Sequence, residues 1–274
     1  MDNLFLSVYW DVRPEVIHGF SYLRWYSLFW GVGIYLGFLV LKRVFKHERT
    51  PLDLLDKMAL SVMIGAVVGA RLGHVLFYEP IHYLNNPIEI LPIRLHPQFE
   101  FTGFLGLASH GGVLGALVGL WVFNQKHKMG FMWALDRLVI SGALLGAFIR
   151  VGNFFNSEIL GLPATVPWAV VFSRIDSIPR HPVQLYEALF YFACFIFLYS
   201  LRHRRKAFKA GYLFGIGMVL IFGQRFVIEF LKEDQVSFES DMMINMGQLL
   251  SIPIIMIAIV FAFLRRRSDK IPTL

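Results

Sequence analysis

A single cysteine, Cys194, occurs among 274 residues and lies inside an apolar run, so an intrachain disulfide and a cysteine-built metal site are both excluded. Charge is scarce as well, Asp, Glu, Lys and Arg together making 16% of the chain. The sequence holds no HExxH pair, no GxSxG elbow and no phosphate-binding loop of the P-loop kind. Zinc hydrolysis, serine acyl transfer and nucleotide use therefore lose support. Repeats of fixed period and low-complexity tracts are missing too, which speaks against a fold of duplicated halves. Residues 1–14 lack a basic start running into an apolar stretch and a small-residue cleavage site, so the first apolar segment is expected to be retained.

What is abundant is apolar surface: 56% of residues are hydrophobic, 16% are aromatic, and mean hydropathy is +0.57. Such a chain belongs in a bilayer. About 20 apolar residues cross the hydrocarbon core as a helix, and seven segments qualify, at 22–41, 58–78, 104–124, 131–149, 183–201, 212–231 and 246–264. The expected fold is all-α, a single polytopic membrane domain over 1–274. The net charge of +7 and pI near 9.6 do not imply nucleic acid, because the basic residues fall in short clusters between the spans. Lys42, Arg43, Lys46, Arg49 and Lys57 follow span one, Lys126 and Lys128 span three, Arg202, Arg204, Arg205, Lys206 and Lys209 span five, and Arg265, Arg266, Arg267 and Lys270 span seven. The opposite loops carry few, among them Arg13, Arg94, Arg174, Arg180 and Lys232. By the positive-inside rule the N-terminus faces the periplasm and the C-terminus the cytoplasm. The outward segments 79–103 and 151–182, rich in Pro, Gly, Asn and aromatics, are expected to be irregular structure over the membrane surface.

Charged side chains within spans are expensive and mark candidate sites. Span two holds Arg71 and His74 on one helical face with Tyr78 a turn beyond, and span six holds Arg225 and Glu229 at ion-pair spacing. Either set also has a purely structural reading, charges paired near a helix end. At the outward end of span three, His110 precedes Gly111 and Gly112, which allow close approach by a helix or a ligand. The densest string is Arg150-Val151-Gly152-Asn153-Phe154-Phe155-Asn156-Ser157-Glu158-Ile159-Leu160-Gly161, just beyond the apolar end of span four. It reads either as a polar site at headgroup depth or as a glycine-ended helix and turn. Arg180-His181-Pro182 opens span five, followed by Gln184-Leu185-Tyr186-Glu187, and Arg24-Trp25-Tyr26 opens span one, where the two aromatics also suit the interface. His110, Arg150, Glu158 and Glu187 all map to outward span ends, where the phosphate that an arginine fork recognises is that of a phospholipid. The residues alone reach no further than an outer-leaflet phospholipid enzyme or a transporter.

The string over 150–161 closely resembles the signature of the prolipoprotein diacylglyceryl transferases: arginine, any residue, Gly-Asn-Phe, any residue, Asn, any residue, Glu, and glycine three on. Arg24-Trp25-Tyr26, Gly69-Ala70-Arg71-Leu72, His110-Gly111-Gly112, Arg180-His181-Pro182 with Gln184 to Glu187, and Arg225 with Glu229 look like further family segments in the same order. The resemblance runs over nearly the whole chain. It implies that Tyr26, His110, Arg150, Asn153, Glu158, Gly161, Arg225 and Glu229 matter for activity. Leu160 departs from a common aromatic, and Lys232-Glu233 from an arginine followed by a more neutral residue.

The reaction so implied transfers the diacylglyceryl group of phosphatidylglycerol to the lipobox cysteine of a prolipoprotein in the bacterial inner membrane, forming a thioether and releasing glycerol phosphate. The donor carries its own leaving group, so no cofactor, nucleotide or metal is needed. In this reading Arg150 and Arg225 hold the donor phosphate, Asn153 and Tyr26 position the headgroup, Gly161 permits the loop, and Glu229 holds Arg225. His110, with an ordinary pKa near 6.5, is the expected base for a thiol of pKa about 8.5, with Glu158 or Glu229 as substitutes. A proton-coupled or lipid transporter using Arg71, His74, Arg225 and Glu229 as a relay is the main rival. An intramembrane protease is a weaker one, since no paired nucleophile and base or metal motif is present.

Overall fold

In the computed structural model, residues 8–19, 23–91, 93–94, 99–101, 106–233 and 244–266 are described. Arg267 and Lys270, counted above among the inward basic residues, lie outside the described residues, as do the first residue of span one and the start of span three. Most of the chain is helical: α1 (Trp25–His47), α2 (Leu52–Phe77), α3 (Pro80–Asn85), α4 (Ser109–His127), α5 (Phe131–Asn156), α6 (Val183–Leu201), α7 (Tyr212–Ile228) and α8 (Met246–Leu264). Short strands accompany them: β1 (Val8–Trp10), β2 (Ile93–Arg94), β3 (Glu100–Phe101), β4 (Val170–Phe172) and β5 (Pro179–Arg180).

Among the described residues, six helices are long and apolar enough to cross a membrane: α1, α2, α5, α6 with its extension, α7 with its extension, and α8. In hydrocarbon a helix is favoured because it satisfies its own backbone polar groups. The helix at span three, α4, is not among the six. Its 19 residues start with Ser109 and His110 and end with Asn124, Gln125, Lys126 and His127, which shortens the apolar stretch. The segments expected to be irregular also carry order, namely α3 and β2 and β3 in the first, and the end of α5 with β4 and β5 in the second.

The chain divides into two compact units, 1–41 with 135–274, and 42–134. In the first, Val139, Ile140, Ala143, Cys194, Leu198 and Leu213 form a core shared by α5, α6 and α7. Cys194 thus packs there, as its apolar surroundings in the sequence imply. Buried Asp136 on α5 accepts hydrogen bonds from the backbone N–H groups of Gly211 and Phe214, both at 2.8 Å. It caps α7, whose own N-cap residue is glycine and offers no side chain. Nearer the signature, Phe154, Val170 and Phe172 are buried with Trp10, Phe155, Leu160 and Leu185 packed on them. There β1 pairs in parallel with β4, which pairs antiparallel with β5.

In the second unit α2 and α4 pack backbone to backbone. A Cβ on Gly69 or Gly111 would collide with the carbonyl of the other residue, and Gly65 and Gly115 stand in the same relation. The glycine after His110 is therefore explained by a helix contact. Arg71 donates through Nε to Ile90 O at 2.8 Å, and through its other nitrogens to Glu89 O and Gly106 O. Its guanidinium also lies 5.1 Å from the Tyr83 ring. His74 stacks on Tyr78 with centroids 5.4 Å apart. Arg71 thus ties the segment that follows α2 to that helix.

Candidate active site

The signature string is not a loop beyond a helix. Its first seven residues form the last two turns of α5, which runs to Asn156, seven residues past the expected end at 149. Arg150 and Asn153 share a face three residues apart, and Arg150 Nη1 donates to Asn153 Oδ1 at 3.4 Å. Ser157 (φ 56°) and Ile159 (φ 56°) then take left-handed conformations that turn the chain sharply. This brings Glu158 back over the helix end: its backbone N–H donates to Asn153 O at 3.0 Å, and its carboxylate accepts from Asn153 Nδ2 at 3.3 Å and Asn156 Nδ2 at 2.9 Å. Gln184, fully buried, donates to the Glu158 carbonyl at 2.7 Å. Gly161 passes so close to His181 that a Cβ would strike the His181 carbonyl, so no larger residue fits without moving the chain. The ring of Tyr26, half-buried on α1, lies against the backbone of Gly152.

Behind this turn runs a row of alternating charges. Arg150 Nε stands 3.1 Å from Glu187 Oε2. Glu187 Oε1 stands 3.0 Å from Lys232 Nζ, which stands 3.1 Å from Glu229 Oε1. Glu229 Oε1 in turn is 3.9 Å from Arg225 Nε. The Glu229 carboxylate also accepts from Asn245 Nδ2 at 3.2 Å, and Gly247 beside it leaves room for the acid. Three cations thus share two carboxylates. The middle of the row is buried, whereas the Arg225 side chain is 43% exposed. Tyr191 on α6 lies within electrostatic reach of Arg150, Glu187 and Arg225.

A second ion cluster braces the turn. Arg180 donates to Gly161 O at 3.2 Å, pairs with Asp176 at 2.6 Å, and pairs with Glu233. The guanidinium of Arg180 holds the Asp176 carboxyl below the ordinary aspartate range. On the far side, Lys232 bridges to Gly161, and Leu162 N–H donates to Leu231 O at 2.8 Å.

Tyr26, Arg150, Asn153, Glu158, Gly161, Arg225 and Glu229 all belong to the unit of 1–41 and 135–274, and Arg150, Asn153, Glu158, Arg225 and Glu229 join networks there. His110 is an exposed residue of the other unit, at the start of α4. The expected Arg225 and Glu229 pair is loose at 3.9 Å because Lys232, one residue nearer along the chain, takes the same oxygen at 3.1 Å. Sequence reasoning left Lys232 out and gave Glu187 no role, although the segment 184–187 had pointed to it. Among the described residues no group of three or more His, Cys, Asp or Glu is placed to hold a metal ion.

The family model for prolipoprotein diacylglyceryl transferase matches residues 14–264. The chain belongs to that family. It is 42% identical over 276 residues to the phosphatidylglycerol–prolipoprotein diacylglyceryl transferase of Bacteroides fragilis, covering 99% of this chain and all of the relative. It is 44% identical over 263 residues to the protein of the same name from Tolumonas auensis, with 95% and 98% covered, and 39% identical over 259 residues to that of Chloroherpeton thalassium, with 93% of each covered. The family match passes through both compact units, and none of these relatives carries a transporter's name.

Proposed function

We propose that this member of the transferase family moves the diacylglyceryl group of phosphatidylglycerol to the lipobox cysteine thiol of prolipoproteins, the first step of bacterial lipoprotein maturation. The carrying observation is the row Arg150, Glu187, Lys232, Glu229, Arg225, found in a chain of this family. A net positive row set beside the signature turn suits one phosphate diester. The thiolate attacks the glyceryl carbon, a C–S bond forms, the C–O bond to phosphate breaks, and glycerol phosphate leaves with the electron pair. The departing monoester gains negative charge over the diester, so arginine contacts tighten as the bond breaks, and this lowers a barrier.

Arg150 and Arg225 are the phosphate ligands, Asn153 and Tyr26 position the headgroup, and Gly161 sets the turn. For the base, His110 rests on the family resemblance alone. Glu158 is the better placed carboxylate: its partners are neutral amides, whereas Glu229 is held by Lys232. The seven-span topology with the N-terminus in the periplasm, the active site at the periplasmic leaflet of the inner membrane, and a single membrane domain over 1–274 belong to this reading. The basic clusters and the unbroken family match support them. A phosphatase joined after Arg266 is expected to be inactive.

The test is mass spectrometry of a lipobox peptide incubated with the purified protein and phosphatidylglycerol. A diacylglyceryl mass gain on the cysteine, absent when serine replaces it, is expected. No gain, together with lipid movement across sealed vesicles, would favour the transporter instead.

A further inference from the structure

Lys232 has no part in the reaction just described, yet only 4% of its side chain is exposed and its ammonium lies 3.0 Å from Glu187 and 3.1 Å from Glu229. A buried ammonium is tolerated when carboxylates surround it. The same two carboxylates face the arginines, Glu187 through its second oxygen toward Arg150 at 3.1 Å, and Glu229 toward Arg225 at 3.9 Å. That second separation is beyond a hydrogen bond. Without the lysine, Arg225 is the cation left beside Glu229 among the described residues, and closing that pair would occupy the planar fork that a phosphate needs. The position of Lys232 is also fixed: it bridges to Gly161, and Glu233 N–H donates to Leu160 O at 3.1 Å, so its backbone is tied to the signature turn.

We propose that Lys232 is a positioning residue that holds Glu229 to itself and thereby keeps the fork of Arg225 open to the donor phosphate. The inference rests on the phosphate role given to Arg225 above. A compact ammonium with three donors can serve two carboxylates at once, which suits the place it occupies. Its effect on the lipid passes through Arg225, so it acts on donor handling and leaves the peptide side of the reaction alone.

The experiment measures initial rates against phosphatidylglycerol and against lipobox peptide, with thermal stability, for the wild type, K232R and K232M/E187Q. The double variant removes one buried charge of each sign but also takes Glu187 from Arg150, so E187Q alone is measured beside it. The double variant is expected to be no less stable than E187Q, while its kcat/KM for the donor falls by about tenfold or more below that of E187Q and the peptide KM stays unchanged. K232R, which keeps the charge and can donate to both carboxylates, is expected to be slowed clearly less than the double variant. A stable double variant with the donor kinetics of E187Q would overturn the role, and so would a stable K232R as slow as the double variant. If the double variant does not fold, a stable K232R that loses about tenfold or more in kcat/KM for the donor overturns the role. A wild type that forms no thioether refutes the proposed reaction itself, a different result from transfer that ignores Lys232.

Discussion

Arg71 and Arg150 both stand in the C-terminal half of an apolar helix, and the sequence marks both as expensive charges. Their surroundings differ in kind. Among the described residues, Arg71 meets the backbone carbonyls of Glu89, Ile90 and Gly106 and the face of Tyr83. Arg150 meets a carboxylate and an asparagine and stands at one end of a row whose other end, Arg225, is 43% exposed. An arginine that binds main-chain carbonyls fixes where a segment lies. One balanced against carboxylates, with cations in excess, is the one that the proposed function needs to exchange partners with an incoming phosphate.

Four substitutions break or sharpen that contrast, in descending order. Glu187→Gln takes the carboxylate from Arg150 and leaves Lys232 with Glu229 alone, and loss of one member of a buried ionic group typically costs about 3 to 5 kcal/mol. Thermal unfolding in detergent should show this loss, with activity falling alongside. Arg150→Lys keeps the charge and loses the fork, so transfer should fall by about a hundredfold or more at every pH, equivalent to about 3 to 4 kcal/mol, with a much smaller change in stability. Arg71→Gln should do the reverse: it leaves carbonyls without their charged donor, at about 1.5 to 3 kcal/mol of stability, while turnover per folded molecule stays near the wild type. If Arg71→Gln were as inactive as Arg150→Lys at unchanged stability, the contrast would fail.

The smallest effect belongs to Asp176. Arg180 lowers its folded pKa, so the pair contributes above the unfolded aspartate value of about 3.9, and the contribution disappears as pH falls through the folded value. Asp176→Asn should lower stability by about 0.2 to 1 kcal/mol near neutrality, because the group is largely solvent-screened. The difference between the two proteins should begin to shrink as pH falls through about 4 and vanish only below the folded value, which melting curves across pH will check.

Local chemistry was the legible part of this molecule. The apolar runs at 183–201 and 246–264 coincide with α6 and α8 to the residue, since hydrocarbon length and helix length are the same constraint. The end of α5 was misplaced because Arg150, Asn153 and Asn156 read as an exit from the membrane, whereas polar side chains on the last turns bond to one another and let the helix continue. The i,i+4 pair of Arg225 and Glu229 was visible as spacing, but its looseness depends on Lys232. Glu187 and Lys232 are 45 positions apart, and such a contact leaves no periodicity to read. Asp136 capping α7 from 75 positions away is hidden for the same reason.

The central claim is that the arginine row serves a phosphate that departs when sulfur attacks carbon. Its most direct measurement follows the phosphate in heavy-oxygen water, with purified protein, phosphatidylglycerol and a lipobox peptide. The account predicts one glycerol phosphate per thioether, carrying no solvent oxygen, because the C–O bond breaks and phosphorus is never attacked. Glycerol phosphate bearing solvent oxygen, or thioether formed without glycerol phosphate, would contradict it.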